Sequence, residues 1–205
     1  MTVRQLDIEL VTIGPSHAER LRTMWLEMLA RSPGVFHEPL DEAMALGTYE
    51  WRERAARLTS CTATSIAAVR DGSFIGVISG YVDQARGDLE GQISHFHVVS
   101  GLPGVRPIHG RVASMLLQAL AEWLVHRGVE QVFFGVCEDQ VDQLDQLLGL
   151  GFVPTGTRRR SELDSDFDEV ELVCMLSGVA YDSVLHPTSG SRPATSPGEY
   201  RYRVV

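Results

Sequence analysis

The sequence predicts an α/β protein built on a mixed central sheet, with the element order β-α-α-β-β-β-α-β-α-β-β. Three observations carry that expectation. Short runs with two-residue alternation of apolar side chains mark strands, and longer runs with three- and four-residue spacing mark helices. Tight turns join the strands of the first half, whereas helical segments separate those of the second. Hairpins give antiparallel neighbours and helical crossovers permit parallel ones, so the two halves together require a mixed sheet.

The elements follow in order. Ile8 to Ile13 alternates and stops at Gly14-Pro15, a strand and a turn. Ser16 is placed to cap a helix whose apolar face is Leu21, Met24, Trp25, Met28 and Leu29, broken by Ser32-Pro33-Gly34. A weaker helix is expected within Thr48 to Leu58. SIAAVR, Asp71-Gly72 and FIGVISGYV read as two strands on a tight hairpin, and GQISHFHVV as the next strand after a polar loop. From Gly110 to Arg127, Val112, Met115, Leu116, Ala119, Leu120, Trp123 and Leu124 share one face, with Gly128 suited to the left-handed residue beyond the helix end. A strand at Val132 to Val136, a helix from about Asp139, and strands at Val153 to Arg158 and Val170 to Leu176 complete the pattern. Residues 1–176 are therefore expected to form a single domain. Residues 177–205, with Pro187, Pro193 and Pro197 among Ser, Thr and Gly, have too little apolar surface to offset ordering entropy and are expected to be a flexible tail.

Composition removes several function classes. The 27 acidic and 18 basic residues leave a formal charge of −9, which disfavours a nucleic-acid partner held by phosphate contacts. Cys61, Cys137 and Cys174 are an odd number without metal-ligand spacing, so neither a disulfide framework nor a zinc site is expected. A His95-x-His97 pair has no third ligand in suitable spacing, and no metal is expected. Asp164, Asp166 and Asp168 alternate like the start of a calcium loop, but Glu169 stands where such a loop needs glycine and Met175 where it needs glutamate. No run approaches the ~18 apolar residues of a membrane span, and Arg4, Asp7 and Glu9 interrupt the start where a leader would be apolar. A cytoplasmic protein without a membrane partner is the expectation, as monomer or homodimer.

One segment stands apart chemically. Gly91 to Ala121 holds no acid in a chain rich in them, where about four would be expected, yet it contains His95, His97, Arg106, His109 and Arg111. It spans a strand end, the loop SGLPGVRPIHG and the start of the longest helix. Free N–H groups and the dipole at a helix start favour an anion, so a phosphate site is predicted there.

The same residues carry a family resemblance. The strand ISHFHVV, a loop ending HGRVASMLL, a helix closing at HRG, the strand VFFGV, a helix, and LGLGF before another strand resemble the GNAT family of acyl-CoA-dependent N-acyltransferases over about Asp7 to Leu176. The resemblance implies acetyl-CoA as cosubstrate and a small-molecule or peptide amine as acceptor, the acetyl group moving by direct attack of the amine. A non-catalytic acyl-CoA-binding or sensor protein on the same fold is the alternative. In the family, Arg/Gln-x-x-Gly-x-Gly/Ala cradles the coenzyme pyrophosphate. Registering Ala113 with the last small residue puts Arg111 on the central glycine and Ile108 on the Arg/Gln, with Gly110 one place early. The coenzyme-binding residues implied are His109, Gly110, Arg111, Val112, Ala113 and Ser114, together with the strand end at Val98, Val99 and Ser100, whose backbone would hold the pantetheine arm and the thioester.

For the chemistry, the family's strand glutamate aligns with Gln92, which cannot take a proton, and Glu90 lies two residues earlier as a possible relay. His95 and His97 project from the other face unless a bulge resets the alternation, and His97 is preferred as the base because it is closer to the presumed thioester. The catalytic residues expected are thus His97 and Glu90. The family's proton-donating tyrosine aligns with Leu147, and the asparagine often found at that helix start with Gln140. Cys137 is read as packing because no base accompanies it. Phe36 and Tyr81 are the expected substrate-binding residues.

Overall fold

In a computed structural model of the chain, residues 7–31, 38–84, 89–99, 106–160, 168–176 and 201–202 are described. The chain runs β1 (Glu9–Thr12), a 3-10 turn at Pro15–His17, α1 (Ala18–Arg31), α2 (Leu40–Ala45), α3 (Thr48–Arg57), β2 (Ala63–Arg70), β3 (Ser73–Asp83), β4 (Glu90–Val98), α4 (Arg106–Val125), β5 (Gln131–Cys137), α5 (Val141–Gly149), β6 (Val153–Arg160), β7 (Asp168–Met175) and β8 (Arg201–Tyr202). One sheet takes the order β6-β7-β5-β4-β3-β2-β1-β8. Every neighbouring pair is antiparallel except β4 with β5, so the mixed sheet holds as expected.

Four details differ from the sequence expectation. A six-residue helix, α2, occupies part of the segment read as loop. Pro39 precedes it in extended conformation, and Asp41 and Glu42 sit in its first turn, where carboxylates complement the dipole. Ser16 lies within the 3-10 turn and caps nothing, because Pro15 starts that turn one residue ahead of it. Helix α4 begins at Arg106, a full turn before Gly110, with Pro107 in its first turn where its missing N–H costs nothing. Within the span read as tail, Arg201 and Tyr202 pair with Val11 and Leu10 at the β1 edge.

The hairpin between β2 and β3 turns on Asp71 and Gly72, both at positive φ (51° and 78°), which matches the right-handed twist of the strands it joins. Each face of the sheet carries its own apolar layer. Against one face lies α4, whose Val112, Leu116, Leu120 and Leu124 pack with Leu10, Ile66, Ile78, Phe96 and Phe134. Against the other lie α1 to α3, with Met24, Trp25, Met28 and Trp51 on Val11, Ala67, Val69 and Val77. Helix α4 sits very close to the strands. A β-carbon at Gly80 would lie 2.9 Å from Gln92 O and 3.0 Å from Leu120, and one at Gly91 would lie 2.8 Å from Leu124. Only glycine allows that approach.

Candidate active site

The register of β4 determines which side chains meet. Opposite it on β3, Ser79 pairs with His95 and Gly80 with Ile93, leaving Ser94 as the extra residue of a β-bulge. Before the bulge Gly91 and Ile93 face α4, and after it Phe96 and Val98 do. Gln92, His95 and His97 therefore share the face toward α1 to α3. The expectation that the histidines point away from Gln92 is corrected by this one inserted residue.

The pairing of β4 with β5 is brief. Gly91 pairs with Val132 and Gln92 with Phe133, after which the two strands diverge. Between them opens a cleft of about 470 Å³, lined from β4 by Gln92 to Phe96 and from β5 by Phe134 to Cys137. Its other walls are Trp25, Glu38, Gln140 and Gln143, and across β5, Arg159, Glu169 and Glu171. Residues opposite one another in an antiparallel pair alternate between exchanging hydrogen bonds and turning them outward. Val99 N–H donates to Ile75 O at 2.9 Å, so the neighbouring Val98, and Phe96 two residues before it, turn their backbone groups toward the side that β5 vacates. There Gln143 Nε2 donates to Phe96 O at 3.2 Å, and His109 Nε2 lies 3.3 Å from Val98 O.

The two histidines occupy different positions. His95 lines the cleft, its ring 5.1 Å from that of Trp25 and its Nδ1 3.2 Å from Ser94 Oγ. His97 does not line it, and its Nε2 is buried without a hydrogen-bond partner among the described residues. Burial brings both imidazoles down to about 4, helped by the charge of Arg54 at His95 and by His109 and Arg31 at His97. Both are neutral at physiological pH.

Glu38 accepts from Arg54 through both oxygens at 2.6 and 2.8 Å, and from Trp25 Nε1 at 2.9 Å. Burial pushes its carboxyl up, but the bonds from Arg54 and Trp25 outweigh that and hold it below the ordinary range. On the far wall Arg159 pairs with Glu171 at 3.0 Å. Glu169 Oε2 lies over Gly135 on the cleft floor, 3.3 Å from where a β-carbon would stand.

The other expected site residues fall as follows. Glu90 is buried at the start of β4, on the closed side of the Gly91 and Gln92 pairs, and is not among the residues lining the cleft. Val99 directs its N–H to β3, away from the cleft side. Because α4 starts at Arg106, Gly110 to Ser114 lie inside the helix. Val112 and Ala113 are buried against the sheet and Ser114 Oγ donates to Gly110 O at 3.0 Å, so an anion would find the unpaired N–H groups one turn earlier. Arg111 is exposed and His109 half-buried. Tyr81 is exposed beside Gln92 on the face toward α1 to α3 but not within the cleft lining. Phe36, Ser100 and Asp164 lie outside the described residues.

Leu147 is fully buried in the core and Gln140 is the residue preceding α5, lining the cleft. Among the described residues no group of three or more His, Cys, Asp or Glu is placed to hold a metal, and no helix is long and apolar enough to cross a membrane. The sequence reading missed Glu38, Gln143, Glu169 and Glu171. For the last two a signal exists: DEVELV alternates acid with apolar, the mark of a strand with one polar face.

A mixed sheet whose single parallel pair splays over a cleft, with a long helix starting beside it, is an α/β architecture that solved structures share. Comparison with solved structures makes the fold specific: it is that of the GNAT acetyltransferases. A GNAT-family acetyltransferase from Streptococcus pneumoniae is 17% identical at a TM-score of 0.64, with 82% of this chain and 99% of that chain covered. The paia N-acetyltransferase from Thermoplasma acidophilum, solved in complex with coenzyme A, is 12% identical at 0.60, covering 83% and 99%. The aminoglycoside 6'-N-acetyltransferase from Enterococcus faecium is 14% identical at 0.56, covering 80% and 92%. No protein-family model matches the sequence, and no curated protein does.

Proposed function

We propose that this protein is an acetyl-CoA-dependent N-acetyltransferase that moves the acetyl group to a primary amine by direct attack. The observation that carries the reading is the separation of β4 from β5 after Gln92. It leaves an elongated gap with backbone groups of Phe96 and Val98 along one side, the shape and polarity that an amide-containing pantetheine arm and a thioester require. Acyl transfer then needs three things: a polarised carbonyl, a deprotonated nitrogen and a protonated leaving thiolate. A backbone N–H on the open edge of β4 polarises the carbonyl. Proton removal needs a neutral imidazole that reaches the cleft, a task for which the sequence had favoured His97, and the diphosphate lies at the start of α4, a turn ahead of Arg111. Glu38, Glu169 and Glu171 in the cleft walls suit a cationic small-molecule amine as acceptor.

Leu147 in place of the family's tyrosine and Gln92 at the family's base position motivate the second reading, a binding protein without turnover. Calorimetry and free-thiol release separate them. Acetyl-CoA is expected to bind one-to-one, Arg111→Glu to weaken it by about tenfold or more, and thiol to appear with a primary amine. Binding without thiol release for any amine would establish the second reading. No binding of acetyl-CoA or longer acyl-CoAs would end both.

A further inference from the structure

We infer that His95, not His97, is the catalytic imidazole of this site, and that Trp25, Glu38 and Arg54 form a clamp that positions it. The inference rests on the acyl-transfer reading and goes beyond it by naming the group that handles the proton.

Three segments distant in sequence meet at one ring. The Arg54 guanidinium, from α3, lies 4.6 Å from the Trp51 ring and 5.4 Å from the Trp25 ring. It grips Glu38 by two bonds, and Glu38 in turn takes the Trp25 indole N–H. With its N–H tied, Trp25 cannot rotate about its side-chain bonds without breaking a charge-assisted bond, and its ring is held 5.1 Å from that of His95. Arg54 itself is not in the cleft lining, whereas Trp25, Glu38 and His95 are. This division separates the anchor from the parts that face a ligand, and His97 has no comparable support or access.

Among the described residues, the charged and titratable groups around His95 are Arg54 from α3, Glu38 before α2, His97 on its own strand, and Cys137, Arg159, Glu169 and Glu171 beyond the cleft. Opposite it on β3 stands neutral Ser79. Burial and Arg54 keep the ring uncharged above about pH 4, so it is in its basic form throughout the neutral range. In the step proposed, the neutral amine nitrogen attacks the thioester carbonyl and acquires positive charge. One N–H proton passes to His95 as the C–N bond is completed. The C–S bond breaks, and the imidazolium returns the proton to the departing thiolate, giving amide, free thiol and neutral His95.

The test uses the full chain, acetyl-CoA, and ethylamine, 1,4-diaminobutane and glycinamide as probe amines. His95→Asn is expected to lower kcat by about a hundredfold or more while leaving acetyl-CoA affinity within about twofold, and His97→Asn to change kcat by less than about threefold. Arg54→Met removes both the anchor and the charge. It should raise the His95 titration followed by NMR above about 4 but short of the ordinary ~6.5, because burial, the larger cause, remains, and shift the acidic limb of the kcat profile up with it. Trp25→Phe keeps a ring but loses the indole bond, and it serves if Arg54→Met fails to fold; kcat should fall several-fold with KM for acetyl-CoA unchanged. If His95→Asn keeps kcat within about threefold, or the profile and titration ignore both clamp variants, the inference is wrong while acyl transfer stands. If the wild type neither binds acetyl-CoA nor releases thiol with any probe amine, the proposed function fails first and the inference falls with it.

Discussion

The two faces of the sheet are built on opposite principles. Toward α4 the strands present Leu10, Ile66, Ile78, Phe96, Phe134 and Leu172 in one continuous apolar layer. Toward α1 to α3 the apolar layer covers only β1 to β3, and where β4, β5 and β7 take over the same face it becomes Gln92, His95, Cys137, Glu169 and Glu171. Within β4 a single bulged residue makes both conditions compatible. It keeps Ile93 and Phe96 on the dry side while gathering Gln92, His95 and His97 on the other. One face supplies cohesion, and the other gives some of it up to keep polar groups poised.

Acid should expose that difference most. His95 and His97 titrate near 4 when folded against ~6.5 unfolded, so between those values the unfolded chain binds more protons. Stability contributed by their neutral state is full above about pH 6.5 and falls as pH drops toward 4, by several kcal/mol for the pair. Urea unfolding at a series of pH values should show this slope, and His95→Asn/His97→Asn should flatten it. A slope unchanged in the double variant would mean that the polar face is not the acid-sensitive one.

The dry face should answer to volume instead. Leu120→Ala on α4 is expected to cost about 2–5 kcal/mol of unfolding free energy without altering the slope with pH. A loss below about 1 kcal/mol would show that α4 is not the main anchor of the sheet. The smallest effect concerns the buried Ser65 and Ser79 hydroxyls, 2.6 Å apart beneath α1 to α3. Ser65→Ala alone leaves one hydroxyl unpartnered and should cost about 1–3 kcal/mol, whereas Ser65→Ala/Ser79→Ala should recover most of that loss. Additive losses would deny the pair its coupling.

Much of the fold was legible because periodicity reports burial. The apolar face of α4, the β2–β3 hairpin at Asp71-Gly72 and the alternation of β7 are local patterns, each readable from a few residues. The start of α4 was less so: Gly110 looked like the boundary, while Pro107, the residue that tolerates a first helical turn, passed unweighed. The site was only half legible. His95 and His97 announced themselves by type, but their shared face with Gln92 depends on a bulge defined by pairing with β3, which no single strand encodes. Glu38 and Arg54 lie sixteen positions apart and were each unremarkable until the fold brought them onto Trp25. Contacts across elements leave no period in the sequence, and the clamp consists of nothing else.

The glycines under α4 have a mechanical corollary. Leu120 and Leu124 rest in notches that exist only because Gly80 and Gly91 have no side chains, and a small displacement of the helix along its axis would drive those leucines into strand backbone. The long helix is thereby indexed to the sheet like a peg in a rack. Any give in the cleft falls to the opposite wall, where β6, β7 and α5 border the gap and, among the described residues, Gly149, Gly151 and Gly156 form no such detent.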